Sequence, residues 1–180
     1  MRVISGKCRG TNLVAPEGMN TRPTTDRIKE TIFNMIAFDI PGCRFLDLFS
    51  GSGAMAIESL SRGAESAVLV EHNENALKCI RQNLEKTRLT SDAKIYGCDV
   101  NNALKQLKGQ KFDIIFMDPP YALGTISEVL ENIVAYDLLS EDGYIILESG
   151  TNSIVKYPED LVLFKEKNYR ITTLSFLKRG

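Results

Sequence analysis

The sequence predicts an α/β protein built on a doubly wound, mostly parallel seven-stranded sheet, with a small hairpin and a helix ahead of it. Three observations predict it. Short apolar runs alternate with stretches of helical periodicity from Arg44 onward. The central runs are apolar throughout, as strands covered on both faces must be. The residues that end those runs (glycines, acids and prolines) are of ligand-binding type, and in such sheets ligands bind beyond the carboxyl ends of the strands.

The elements follow in order. Arg2-Val3-Ile4, Gly6-Lys7-Cys8-Arg9-Gly10 and Leu13-Val14 read as a small hairpin with a basic turn. A loop then ends at Pro23-Thr24-Thr25-Asp26, where Thr24, Thr25 and Asp26 are candidate N-caps. Ile28, Ile32, Phe33, Met35 and Ile36 share one face of a helix. Phe45 to Phe49 is the first strand, and a helix runs on through Leu60. Ala67 to Val70 is the second strand, followed by a helix marked by Ala76, Leu77, Ile80 and Leu84. Ala93 to Tyr96 is the third, followed by a short helix near Ala103 to Leu107. Phe112 to Met117 is the fourth, followed by a helix carrying Ile126, Val129, Leu130, Ile133 and Val134. Gly143 to Leu147 is the fifth, and the last two strands fall at Val162–Lys165 and Ile171–Phe176.

Composition bounds the possible functions. At 180 residues the chain suffices for one domain with a real core, and residues 1–180 are read as one unit with 1–37 as an extension. The 43% apolar and 25% charged residues are ordinary for a soluble protein. A net charge of −1 means that any nucleic-acid contact must come from a local basic patch. Cys8, Cys43, Cys79 and Cys98 form no C-x-x-C pair, and His72 is the one histidine. That spacing supports neither zinc nor a disulfide framework and reads as reduced cysteines in a cytoplasmic protein. No apolar run has the length of a membrane span, and Met1 to Lys7 lacks the apolar stretch of a signal peptide.

Four strand ends carry the chemistry. Asp47-Leu48-Phe49-Ser50-Gly51-Ser52-Gly53 lets the backbone approach a ligand just before a helix N-terminus. Gly51-x-Gly53-x-x-Ala56 also fits the alanine-ended dinucleotide fingerprint, and a plain tight turn would look similar. Glu71, twenty residues past Gly51, can accept the two hydroxyls of a ribose, and His72 beside it reads as a surface residue. Asp99, followed by Val100, is either an acceptor for the amine of adenine or the N-cap of the next helix. Asp118-Pro119-Pro120-Tyr121 combines a charged acceptor, two residues that lack an N–H and a flat ring, a set that suits a planar amine.

Together these residues match the class I methyltransferase pattern, a Rossmann-like fold. Asp47 to Gly53 resembles the cofactor loop, Glu71 the ribose acid, Asp99 the adenine-contacting acid and Asp118 to Tyr121 the amino-methyltransferase motif. Met1 to Leu13, Arg22 to Ile36 and Phe45 to Ala64 narrow the match: the chain resembles the RsmD family. The resemblance covers nearly the whole chain and is weakest after Gly150. It implies methyl transfer from S-adenosylmethionine to the N2 amine of a guanine in 16S ribosomal RNA. Asp47, Phe49, Ser50, Gly51, Ser52, Gly53, Glu71, His72, Asp99 and Val100 would then bind the cofactor. Asp118, Pro119, Pro120 and Tyr121 would be catalytic, and Arg2, Lys7, Arg9, Arg22 and Arg27 would contact RNA. The implied partner is the assembled small ribosomal subunit, met by a monomer without metal or membrane. Cys8 departs from the family, whose hairpin carries an aromatic there.

A DNA adenine-N6 methyltransferase shares the Asp-Pro-Pro-Tyr motif but usually adds a recognition domain, for which 180 residues leave little space. An NAD-dependent oxidoreductase would explain Gly51, Gly53 and Glu71, but neither Asp99 nor the Asp118 motif. A non-catalytic ribosome-assembly factor would not need a complete set of cofactor and amine residues.

Overall fold

The computed structural model describes residues 1–16, 26–120, 123–151 and 153–180. Arg22, Thr24, Thr25 and Tyr121 lie outside the described residues. Strands β1 (Arg44–Leu48), β2 (Ser66–Val70), β3 (Ala93–Tyr96), β4 (Phe112–Met117), β5 (Leu139–Gly150), β6 (Leu161–Asn168) and β7 (Thr172–Arg179) form one sheet in the order β3-β2-β1-β4-β5-β7-β6. The first five strands run parallel, whereas β7 is antiparallel to both β5 and β6. This is the sheet that the sequence predicts. Helices α1 (Asp26–Met35), α2 (Ala54–Ser61), α3 (Glu74–Thr87), α4 (Val100–Gln106) and α5 (Leu123–Ala135) accompany it.

Alternation along each strand builds two cores. Phe45, Leu69, Ile114, Phe116 and Ile146 face α1, α2 and α3, whose buried residues include Ile32, Phe33, Ile57 and Ile80. Leu46, Leu48, Val70, Ile115, Met117 and Leu147 face α4 and α5, which contribute Leu104, Val129 and Ile133. The alternation also sends the polar residue Asp47 to the α2 side, where it is 1% exposed.

Strand β5 is longer than its apolar run because Leu139 pairs with Phe112 before a register shift. Gly143 sits at that shift, where a Cβ would stand 2.8 Å from the Phe112 carbonyl oxygen. Strand β6 is the sheet's edge and buries only Leu161 among its eight residues.

The N-terminal hairpin is present but minimal. One antiparallel bridge joins Arg2 and Asn12, and the Val3 N–H donates to the Thr11 carbonyl at 2.9 Å. Its turn is held by the end of α2. The N–H groups of Ile4 and Ser5 donate to the Glu58 carboxylate at 2.8 and 3.0 Å, and that of Lys7 to the Ser61 carbonyl at 2.8 Å. Gly6, at φ 82°, lies so close that a Cβ would fall 1.8 Å from the Ser61 oxygen. Glu58 itself is buried, with Arg62 Nε at 2.8 Å and Lys29 Nζ at 3.4 Å. Lys29 is also fully buried and donates to the Arg2 carbonyl at 2.5 Å. Burial lowers the Lys29 pKa, while Glu58 and Asp26 oppose that shift. A buried pair of this kind survives because each charge keeps several hydrogen bonds.

Candidate active site

The site starts at the end of β1. Phe49 takes φ 62°, a costly conformation for a bulky side chain and one that concentrates at functional sites. Ser50 secures the turn: its N–H donates to the Val70 carbonyl at 2.9 Å and its hydroxyl to the Asp47 carbonyl at 2.7 Å. The two glycines of the loop have different tasks. A Cβ on Gly51, at φ 56°, would meet no protein atom within 4 Å. A Cβ on Gly53, at φ 77°, would lie 3.0 Å from Leu69 Cδ2. The bare backbone at Gly51 therefore serves ligand approach, and Gly53 serves packing of α2 on the sheet.

Glu71 ends β2 and ties this loop down. Its Oε2 accepts from the Gly51 N–H, and its Oε1 from those of His72 and Asn73, each at 2.9 Å. A carboxylate has about four acceptor positions, so three backbone bonds leave it with one. Asp47 Oδ2 accepts from the Ala56 N–H at 3.2 Å. Burial pushes the Asp47 carboxyl up to about 8; the Ala56 bond opposes this, and the charges of Glu71 and Asp118 add to it.

These groups open on one cavity of about 970 Å³. Its wall includes Asp47, Phe49, Ser50, Gly51, Ser52, Glu71 and His72 from the first two strand ends, and Asp118, Pro119 and Pro120 from the fourth. The structure thus brings the glycine loop and the Asp-Pro-Pro turn to one edge of the sheet. Arg27 of α1 lines the same cavity. Arg2, Lys7 and Arg9 are exposed on the N-terminal segment, with Lys7 Nζ 3.4 Å from Asp92. Cys8 turns inward, its thiol 3.4 Å from the Thr87 carbonyl oxygen.

Three residues expected at the cofactor are not on this wall. Gly53 is occupied by packing, as above. Asp99 is exposed and caps α4, its Oδ1 accepting from the Asn101 N–H at 2.9 Å, a role for which aspartate is among the preferred residues. Val100 is buried with Ala103 and Leu104 in the α4 core.

Sequence reading missed two contributors. Asn83 of α3, fully buried, holds the loop and the N-terminal segment together, donating to the carbonyls of Ser52 and Val14, each at 2.9 Å. Its signal was a polar residue on the stripe of Ile80 and Leu84. Glu148 lies on the cavity wall at the end of β5, one residue past the apolar run that the sequence marks.

The family model described as Conserved hypothetical protein 95 matches residues 1–178. The chain belongs to that family, the RsmD family. This RsmD family member is 41% identical to the Bacillus subtilis protein YlbH over 99% of both chains. It is 34% identical to the Ribosomal RNA small subunit methyltransferase D of Escherichia coli strain K12, over 93% of this chain and 84% of the relative. The solved structure of yhhF from Escherichia coli superposes with a TM-score of 0.89 at 33% identity, covering 99% of this chain and 97% of the other.

The residues present in this RsmD family member fit S-adenosylmethionine. The cavity is of ligand size, with acids among apolar side chains such as Phe49, Met55 and Phe116. The open face of Gly51 admits a ligand against the backbone, and the carboxylates of Glu71 and Asp118 complement a positive sulfonium. Among the described residues no cluster of histidine, cysteine and acids is placed to hold a metal ion.

Proposed function

We propose that the chain transfers the methyl group of S-adenosylmethionine to the exocyclic N2 amine of a guanine in 16S ribosomal RNA. The observation that carries this reading is the shared cavity of the Gly51 loop and the Asp118-Pro119-Pro120 turn. The relatives named for methylation of small-subunit ribosomal RNA support the choice of acceptor. The target is met in the assembled small subunit, by a cytoplasmic monomer. Residues 1–37 act as an RNA-contacting extension, with Arg2, Lys7, Arg9, Arg22 and Arg27 on phosphates.

Bound S-adenosylmethionine supplies an electrophilic methyl carbon on a sulfonium sulfur. The task of the protein is the nucleophile, whose lone pair is delocalised into the guanine ring. Gly51, Glu71 and the strained Phe49 turn hold the cofactor's side of the cavity. The Asp118 carboxylate and the Pro119 carbonyl accept the two N–H bonds of the amine. That grip turns the lone pair toward the methyl carbon and stabilises the charge that develops on nitrogen. Tyr121 stacks on the base. Alignment of two bound reactants supplies on the order of 7–11 kcal/mol of barrier lowering, so no strong base is required. The surplus proton on N2 leaves to the carboxylate that already holds it.

Mass spectrometry of ribosomal RNA from a strain lacking this gene tests the proposal. One N2-methylguanine disappears from the small-subunit RNA and returns on complementation. An unchanged modification profile refutes the reading.

A further inference from the structure

Asp118 is not the only carboxylate that the sheet brings to the acceptor side of the cavity. Met117 pairs with Leu147 at the end of the parallel β4–β5 ladder. The next residues, Asp118 and Glu148, leave neighbouring strands side by side, about 4.8 Å apart at the backbone. Strand alternation puts both on the side of Phe116 and Ile146, the side that α1 covers. Glu148 is 9% exposed, and both carboxylates line the cavity. Glutamate is seldom so buried without a partner, and an acid on a ligand-sized wall prepares for hydrogen-bond donors.

Guanine offers such donors in a row: its N1–H stands beside the N2 amine. Adenine carries a lone pair at N1 instead. We propose that Glu148 makes this site select guanine, its carboxylate accepting the N1–H next to the amine that Asp118 holds. The inference rests on the guanine-N2 reading above and assigns its base specificity. The same carboxylate repels the N1 lone pair of adenine, so selection has an attractive and a repulsive arm. A site built to hydrogen-bond a group rejects an analogue that lacks it far more strongly than shape alone would.

The test uses small subunits reconstituted from ligated RNA that carry guanine or 2-aminopurine at the position methylated by the wild-type protein. 2-Aminopurine keeps the amine but presents a lone pair at N1. Single-turnover methylation of both is measured for the wild type and for Glu148→Gln, and S-adenosylhomocysteine affinity reports an intact fold. The wild type favours guanine by on the order of 100-fold or more. The glutamine amide donates to the 2-aminopurine N1, so the preference narrows at least tenfold while S-adenosylhomocysteine affinity holds. Comparing ratios cancels the different reactivity of the two amines. Equal loss on both substrates, or an unchanged ratio, overturns the role of Glu148. No methylation of guanine subunits by the wild type overturns the parent reading instead.

Discussion

Asn83 donates a hydrogen bond to the Ser52 carbonyl at 2.9 Å, and with the same amide holds Val14, accepting the Val14 N–H at 2.8 Å and donating to its carbonyl at 2.9 Å. One buried side chain on α3 thus joins the cofactor loop to the N-terminal segment, whose Ala15 and Pro16 form another part of the cavity wall. Asn83→Asp removes both donors and sets a carboxylate against two carbonyl oxygens. It destabilises the protein by about 2–3 kcal/mol and weakens S-adenosylhomocysteine binding. Chemical denaturation and titration calorimetry check the two effects; wild-type values in both would remove Asn83 from the loop's support.

Asp118→Ala removes an acceptor that acts where charge develops. Single-turnover methyl transfer falls by about 100-fold or more, while S-adenosylhomocysteine binds within about threefold of wild type. A near wild-type rate would strip Asp118 of its role.

Asp47 makes stability depend on pH. Its folded pKa, about 8, lies above the ordinary value of about 3.9 for an unfolded aspartate. The folded state therefore holds a proton that the unfolded state has released. The contribution is complete below pH of about 4 and is lost as pH rises through about 8. Asp47→Asn cannot titrate, so its stability falls less steeply across this window, by at most about 1.4 kcal/mol per pH unit. Urea unfolding at pH 5, 6.5 and 8 measures the slopes, and parallel slopes would contradict the assignment.

Asp113 acts in the opposite direction, at the other end of the sheet. The Arg44 guanidinium and backbone N–H donate to it and hold its carboxyl down at about 2, against the cost of partial burial. Its contribution is present above pH of about 4 and is lost as pH falls through 2. Asp113→Asn costs about 1 kcal/mol at pH 7, since both partners are more than a third exposed and screened by solvent. The difference from wild type vanishes in acid, as unfolding at pH 7 and pH 2 shows.

Arg9 and Arg27 are both exposed, and Arg27 lines the cavity. Neutralising the two together lowers the salt dependence of RNA binding. The slope of log K against log salt falls by about 1 to 2, and binding weakens. Filter binding from low to moderate salt reads the slope, and an unchanged slope places both residues outside the interface.

Most of the architecture was legible before any coordinates. Ala93–Tyr96 and Phe112–Met117 are strands with the bounds that their apolar runs suggest. Other boundaries moved for tertiary reasons: β5 begins at Leu139 because Phe112 offers it a partner across a register shift. The cavity residues announced themselves as breaks in apolar runs, which is how Ser50, Gly51, Glu71 and Asp118 were found. Asp99 illustrates the converse, since an acid after a strand suits a helix cap and a ligand equally well. Lys29 and Glu58 stayed hidden because a charge on a buried stripe means nothing until its partner is known, and here the partners lie in different helices and in the backbone of Arg2, Ile4 and Ser5.

By itself the sequence determined the order of the elements, the parallel character of the sheet and the chemical types present at its strand ends, because periodicity and turn chemistry are local. Only the tertiary structure decided which strand ends meet. Pairing of β1 with both β2 and β4 set the Gly51 loop between Glu71 and Asp118, and pairing of β4 with β5 set Glu148 beside Asp118. Such neighbours are chosen by strand order and register, free-energy differences spread over the whole sheet, which no single stretch of chain encodes.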